Sequence, residues 1–258
     1  MLGAIIGDIV GSVYEFNNIK TKDFPLFSDN SHVTDDTIMT LAIYDILKHS
    51  SLDEKEIAKG IKEWGRMYPN VGYGHRFYQF LLSDEYGSYN SYGNGSAMRV
   101  SACGYLGRSK EEVKKYSNLV TRCTHSHPDA LLGAEVVSLC IYYARHNKTK
   151  DFIKKYVSKY YDLNYCYDNL VKNYTFDVTC KGSVPVAIYC FLISNDFIDC
   201  LRTTVSIGGD TDTLCAIACS IAYPFYKVHD DNLIKEVIKR IPEGKAKSTF
   251  MEIVKEEK

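Results

Sequence analysis

Few marks of a specialised chain are present in these 258 residues, and each absence removes a class of function. Neither sign of charge prevails: 31 basic and 32 acidic side chains leave a net charge of -1, so neither a nucleic-acid surface nor an anionic membrane is the expected partner. No long hydrophobic run occurs. Stretches such as "GAEVVSLCIYYA" are too short to span a bilayer, and the opening "MLGAIIGDIVGS" lacks the basic start and cleavage pattern of a secretory signal, which predicts a cytoplasmic protein. The nine cysteines contain no C-x-x-C, and several sit in apolar helical stretches where Cys acts as a small hydrophobe. Neither a disulfide framework nor a zinc site is implied, although Cys215 and Cys219 lie one helical turn apart. Proline is scarce, with six residues and no Pro-rich linker, and no internal repeat divides the chain. One domain over residues 1–258, acting as a monomer, is the simplest expectation.

What is present is helical periodicity. Apolar residues recur at helical spacing near 2–13, 34–49, 53–67, 74–83, 95–107, 109–123, 128–145, 149–160, 183–194, 197–206, 211–225, 230–240 and 245–256. The run Ser51-Leu52-Asp53-Glu54 ahead of one helix, Ser109 with Glu112 three residues on, and Pro128 in a first turn are start signals for three of them. The predicted class is all-α. Residues 164–183 break the pattern and read as a long connection with a strand-like piece at 174–178, and the C-terminal "KAKSTFMEIVKEEK" reads as a charged surface helix. The lone tryptophan, Trp64, is expected in the core.

Two acidic clusters stand at the mouths of apolar helices: Thr34, Asp35, Asp36 and Thr37 in "VTDDTIMTLAI", and Asp210, Thr211, Asp212 and Thr213 in "IGGDTDTLCAIACSIA". Short polar residues cap helices and acids suit a helix N-terminus, so both clusters read as caps. Capping needs one oxygen, however, and Gly208 and Gly209 would let the second loop bend tightly around something. Neighbours on a helix point about 100° apart, so Asp35 and Asp36 suit two ions better than one. Four carboxylates with no Lys or Arg in either motif would repel one another, and a divalent cation would relieve that. All-oxygen ligands favour Mg²⁺, Mn²⁺ or Ca²⁺. From the residues alone, paired caps and a metal cradle both remain open.

The segments "GAIIGDIVGSVYEF", "VTDDTIMTLAI", "SYGNGSAMRV", "CTHSHPDALLGA" and "IGGDTDTLCAIACSIA" occur in an order and spacing that resemble the ADP-ribosylglycohydrolase family, over most of the chain. That resemblance implies an all-helical fold with two Mg²⁺ or Mn²⁺ ions in a cleft that receives ADP-ribose. It implies Thr34, Asp35, Asp36, Asp210, Asp212 and Thr213 as metal ligands, and Glu15 on a loop as an acid that ligates a metal or acts on the scissile bond. Glu15, Asp36 and Asp212 are then the expected catalytic acids. Ser91, Gly93 and Asn94 are expected at phosphate and ribose, using free amides at a helix start. Tyr92 or Tyr86 would stack on adenine, Gly74 would add a second glycine contact, and His125 would bond phosphate or ribose.

His125 and His127 form an H-x-H pair, but oxygen ligation elsewhere argues against zinc there, and His127 is expected near a helix cap. The implied reaction is hydrolytic release of ADP-ribose from an arginine-, serine- or otherwise O-linked or polymeric acceptor, on a protein or small molecule. The alternatives are an ADP-ribose-binding or crystallin-like protein on the same fold, or a hydrolase of another ADP-ribosylated metabolite or nucleic acid.

Overall fold

A computed structural model describes residues 1–257. Its helices are α1 (Leu2–Gly11), α2 (Asp35–His49), α3 (Glu54–Met67), α4 (His75–Leu82), α5 (Gly95–Met98), α6 (Ser101–Leu106), α7 (Lys110–Arg122) and α8 (Pro128–Arg145), then α9 (Lys150–Val157), α10 (Tyr167–Asn173), α11 (Cys180–Ile193), α12 (Phe197–Ile207), α13 (Thr211–Phe225), α14 (Asp231–Ile238) and α15 (Lys245–Glu257). The all-α class holds: among the described residues no sheet forms. None of these helices is long and apolar enough to cross a membrane.

The centre of the fold is the pair α1 and α13. Every residue of α1 is buried, as are residues 211–223 of α13, as expected for helices apolar on all sides. Their contact is antiparallel and close. A Cβ built on Gly3 would lie 2.1 Å from the Cys219 carbonyl, on Gly7 2.4 Å from that of Cys215, and on Gly11 2.5 Å from that of Thr211. Glycines at every fourth position of α1 thus let the two backbones touch, as side chains of ordinary size would not. Around this pair α13 also rests on α8, α11 and α12, while α2 bridges α1 to α3.

Three sequence expectations need correction. The helix expected over 95–107 is two, α5 and α6, because the chain turns at Arg99 and Val100, where Val100 leaves helical geometry at ψ 9°. That turn delivers Arg99 into the interior, where its guanidinium donates to the Val120 carbonyl (2.8 Å) and Thr124 Oγ1 (2.7 Å). In the connection expected over 164–183, 167–173 is helix α10, which buries only Leu170 and so carries almost no apolar periodicity. The strand-like piece at 174–178 joins no sheet. Its end makes one antiparallel bridge, Gly93 to Thr179, with Asn94 N donating to Val178 O (2.8 Å). Finally, α15 is not merely a surface helix: Ala246, Phe250, Ile253 and Val254 are buried. Trp64 is in the core, its indole donating to Asp45 Oδ2 at 2.8 Å.

Local start signals do as the sequence implies. Asp53 accepts from the amides of Lys55 and Glu56, and Ser109 from that of Glu112. Replacing Asp53 by Ala should lower stability by about 1 kcal/mol, the usual cost of a lost N-cap, read as a fall in the urea midpoint with an unchanged slope.

Candidate active site

Asp8 organises the first acidic loop from below. It is the one acid in α1, and its carboxylate accepts from Thr34 N (3.1 Å), Thr34 Oγ1 (2.7 Å), Thr37 N (3.0 Å) and Thr37 Oγ1. These bonds hold the N-terminus of α2 against α1. The Thr34 hydroxyl also caps α2 by accepting from Asp36 N at 3.2 Å. Asp35 and Asp36 then open the helix in non-equivalent directions: Asp35 lines a cleft and is partly exposed, and Asp36 is buried at 2% exposure.

The second loop meets the first. Thr213 Oγ1 donates to Asp36 Oδ2 at 3.3 Å, joining helix starts from opposite ends of the chain. Asp210 and Asp212 are 5% and 4% exposed. Asp210 does not cap α13 with its side chain; its Oδ2 instead accepts from Asn94 Nδ2 at 2.7 Å. Asp212 Oδ1 accepts from Thr213 N at 2.9 Å. Glu15 approaches from the loop after α1, and carboxylate oxygens of Glu15, Asp210 and Asp212 lie within 4.8 Å of one another.

Such crowding is costly without a counter-charge. Burial pushes Asp36 and Asp212 well above the usual carboxylate range, and neighbouring carboxylates, Asp8 first for Asp36 and Asp210 for Asp212, push further. Burial, then Asp8 and Asp210, raises Asp35 to about 8; burial, then Asp210 and Asp8, raises Glu15 to about 7. Asp36 Oδ1 is buried and has no hydrogen-bond partner. An orphaned carboxylate oxygen within an all-oxygen donor set is what a hard divalent cation would satisfy, so the residues fit such a group.

The acids face a cavity of about 450 Å³. Its lining includes Glu15, Asp35, Asp36, Asp210, Asp212 and Thr213, and also Gly74, Ser91, Tyr92, Gly93, Asn94 and His125. Two of the expected site residues are elsewhere. Thr34 lies behind the wall, engaged with Asp8. Tyr86 does not reach the cleft, because its ring lies over the ammonium groups of Lys55 and Lys62, at 5.5 Å from each. Tyr89, three residues on, lines the cleft instead.

The expectation of free amides at Gly93 and Asn94 also fails: Gly93 N donates to Ser91 Oγ (3.1 Å) and Asn94 N to Val178 O (2.8 Å). Positive charge comes from side chains that sequence reading overlooked. Arg76 and Arg99 both line the cavity, and among the described residues neither is paired with a carboxylate. Arg99 is 1% exposed; a single Arg within the apolar "SAMRV" was the available signal. Acids and guanidinium groups thus line the same cleft.

His125 sits beside these arginines with Nδ1 2.7 Å from Thr124 Oγ1. Burial, then Arg99 and Arg76, lowers its pKa well below 6.5, so the folded protein keeps it neutral. The unfolded chain takes up a proton near pH 6.5 that the folded chain refuses, so His125 makes stability fall as pH drops below that value. His125→Gln should remove up to about 1.4 kcal/mol per pH unit of that slope, seen by comparing unfolding free energies of the two proteins between pH 5 and 7. His127 caps α8, accepting from Asp129 N at 3.2 Å.

Residues 1–223 match the family described as ADP-ribosylglycohydrolase. The chain belongs to this family. Among its relatives, the mouse "ADP-ribosylhydrolase ARH3" is 25% identical over 308 aligned residues, spanning 88% of this chain and 82% of the relative. The Rhodospirillum rubrum "ADP-ribosyl-[dinitrogen reductase] glycohydrolase" is 25% identical, spanning 89% and 85%. A solved structure titled "ADP-ribosylglycohydrolase-related protein complex" superposes with a TM-score of 0.68 at 20% identity, over 97% of this chain and 96% of that one, which establishes the common fold. Of the five motifs that suggested the family in the sequence, three bring the acids together and the other two supply residues from Ser91 to Arg99 and His125 to the same cleft.

Proposed function

We propose that the chain is a metal-dependent hydrolase, a single domain over residues 1–258 acting as a monomer, that releases ADP-ribose from a modified protein or small-molecule acceptor. The observation that carries this reading is the union of the two acidic loops and Glu15 in a cleft whose lining also includes Arg76 and Arg99. That combination of carboxylates and guanidinium groups suits a ligand with a hydroxyl-rich sugar and a diphosphate.

In this reading Asp35, Asp36, Asp210, Asp212 and Thr213 would hold two divalent cations, Mg²⁺ or Mn²⁺, and Thr34, expected as a sixth ligand, instead fastens the first acid loop to Asp8. The chemistry supplied by bound cations is charge neutralisation and Lewis acidity toward the ribose and a water. Glu15 holds or releases a proton at its carboxylate beside the scissile bond, a role suited to a group poised near neutrality. Asn94 fixes the Asp210 carboxylate and leans on Ser183 Oγ at 3.0 Å, so it orients the acid loop as well as lining the cleft. Tyr92, half-exposed at the rim, offers a ring to adenine, while His125 and Ser91 face the phosphate and ribose region and Gly74 leaves open space for close approach.

The test is a panel of arginine-, serine- and glutamate-linked ADP-ribose, with polymeric and nucleic-acid-linked substrates, assayed with Mg²⁺, Mn²⁺ or chelator. Release of ADP-ribose from one linkage, lost with chelator, is expected. Tight ADP-ribose binding with no release from any substrate would instead favour a binding protein on this fold.

A further inference from the structure

Glu15 stands on non-helical backbone within 4.8 Å of two other carboxylates, and like charges there drive it outward. Something must hold its loop inward. The side-chain amide of Asn18 does so from two sides. Its Nδ2 donates to the carbonyls of Tyr14 (2.6 Å) and Glu15 (3.0 Å), gripping the loop that carries the acid. The same amide exchanges a reciprocal pair with the second acidic loop: Gly209 N donates to Oδ1 at 2.7 Å and Nδ2 donates to Gly209 O at 3.0 Å.

The neighbouring contacts run the same way. Lys20 Nζ donates to Ile207 O (2.5 Å) and Tyr174 O (3.1 Å), and Phe16 stacks on Phe176 at 6.0 Å between ring centres. The glycine pair has its explanation here. A Cβ on Gly208 would meet Lys20 Nζ at 2.7 Å and Asn18 Oδ1 at 2.9 Å, and one on Gly209 would meet the Tyr174 ring at 2.6 Å. Both glycines also adopt φ above +70°, which side chains resist.

We propose that Asn18 is a positioning residue that fastens the Glu15 loop to the Gly209–Asp210 backbone, setting where the Glu15 carboxylate stands relative to Asp210 and Asp212. The inference deepens the hydrolase reading and rests on it for its kinetic arm only. Asn18 is not among the residues that line the cleft, so it acts through the Glu15 loop, and its effect is expected on turnover rather than on affinity.

Three proteins decide it: the full chain with Asn18, with Asn18→Ala, and with Asn18→Asp, which keeps the acceptor for Gly209 N and loses the donors. Asn18→Ala is expected to lower kcat about 10- to 100-fold, the usual effect of removing an orienting partner, with the dissociation constant for ADP-ribose unchanged and Asn18→Asp intermediate. Hydrogen exchange should quicken in peptides covering 14–18 and 207–211 together, and not in α3. Unchanged exchange in both loops would overturn the clamp, as would ADP-ribose affinity falling in step with kcat. Should the parent cleave no acceptor, the hydrolase reading fails alone, and the exchange comparison still decides the clamp.

Discussion

Asp36→Asn should lower kcat/KM for ADP-ribose release by about 10²- to 10³-fold, the range found when one preorganised electrostatic partner is removed from a reacting centre. The same substitution should raise the unfolding temperature of the protein in chelator. Both effects have one source. Asp36 is buried, one of its oxygens has no partner, and burial together with Asp8, Asp35 and Asp210 raises its proton affinity. An isosteric amide fills the same space without a charge, so it removes the repulsion that opposes the cation-free fold and also an oxygen that a cation needs.

The sign is opposite to that of an ordinary buried-site mutation. In the parent, Mg²⁺ or Mn²⁺ at a hundredfold excess over its dissociation constant should add about 2.7 kcal/mol of stability. In Asp36→Asn most of that gain should disappear. Calorimetric melts with chelator and with metal, beside the turnover assay, check all three statements. A variant that keeps both turnover and the metal-induced rise would remove Asp36 from the centre.

Gly7→Ala, in the middle of the α1–α13 joint, should be among the most damaging single methyl groups in the chain. The new Cβ would stand 2.4 Å from the Cys215 carbonyl oxygen, 2.6 Å from its carbon and 2.9 Å from the Ala216 nitrogen. All three are backbone atoms, so no rotamer change can relieve the clash, and α1 and α13 must separate. Overpacking of this kind costs about 3 kcal/mol or more, against a total stability of about 5–15 kcal/mol for a typical domain. Separation also displaces Asp8 and the start of α13, which together hold the acid loops. Soluble yield, melting temperature and ADP-ribose affinity should all fall. Gly87→Ala, where a Cβ meets nothing within 4 Å, is the control, with a change within about 0.5 kcal/mol.

The acid loops could be read from the sequence because Asp-Thr clusters ahead of apolar helices are local patterns, and because their surplus of oxygens exceeds what capping uses. Helix α13 itself was legible for the same reason. Their meeting was not: the bond from Thr213 to Asp36 depends on α1 lying against α13, and no local pattern states which distant helix a glycine stripe will touch. Asp8 gave only the weak signal of one acid in an apolar run, although its four accepted bonds fix the first loop. Tyr86 and Tyr89 look alike in sequence, and the path of one loop decides which reaches the cleft. The glycine pair before Asp210 was assigned to bending around a bound group, whereas side chains of Asn18, Lys20 and Tyr174 fill that space.

The antiparallel joint of α1 and α13 also has a consequence for biosynthesis. The Thr211 hydroxyl donates to the Gly11 carbonyl at 2.9 Å across a separation of 200 residues. A ribosome adding about 5–20 residues per second leaves an apolar first helix waiting roughly 10–40 s for its partner to emerge. During that interval the nascent chain holds one acid loop without the other and shows α1 to whatever binds exposed hydrophobic segments. Truncated or stalled chains ending before α13 should therefore depend on chaperones and hold the first acid loop without its partner.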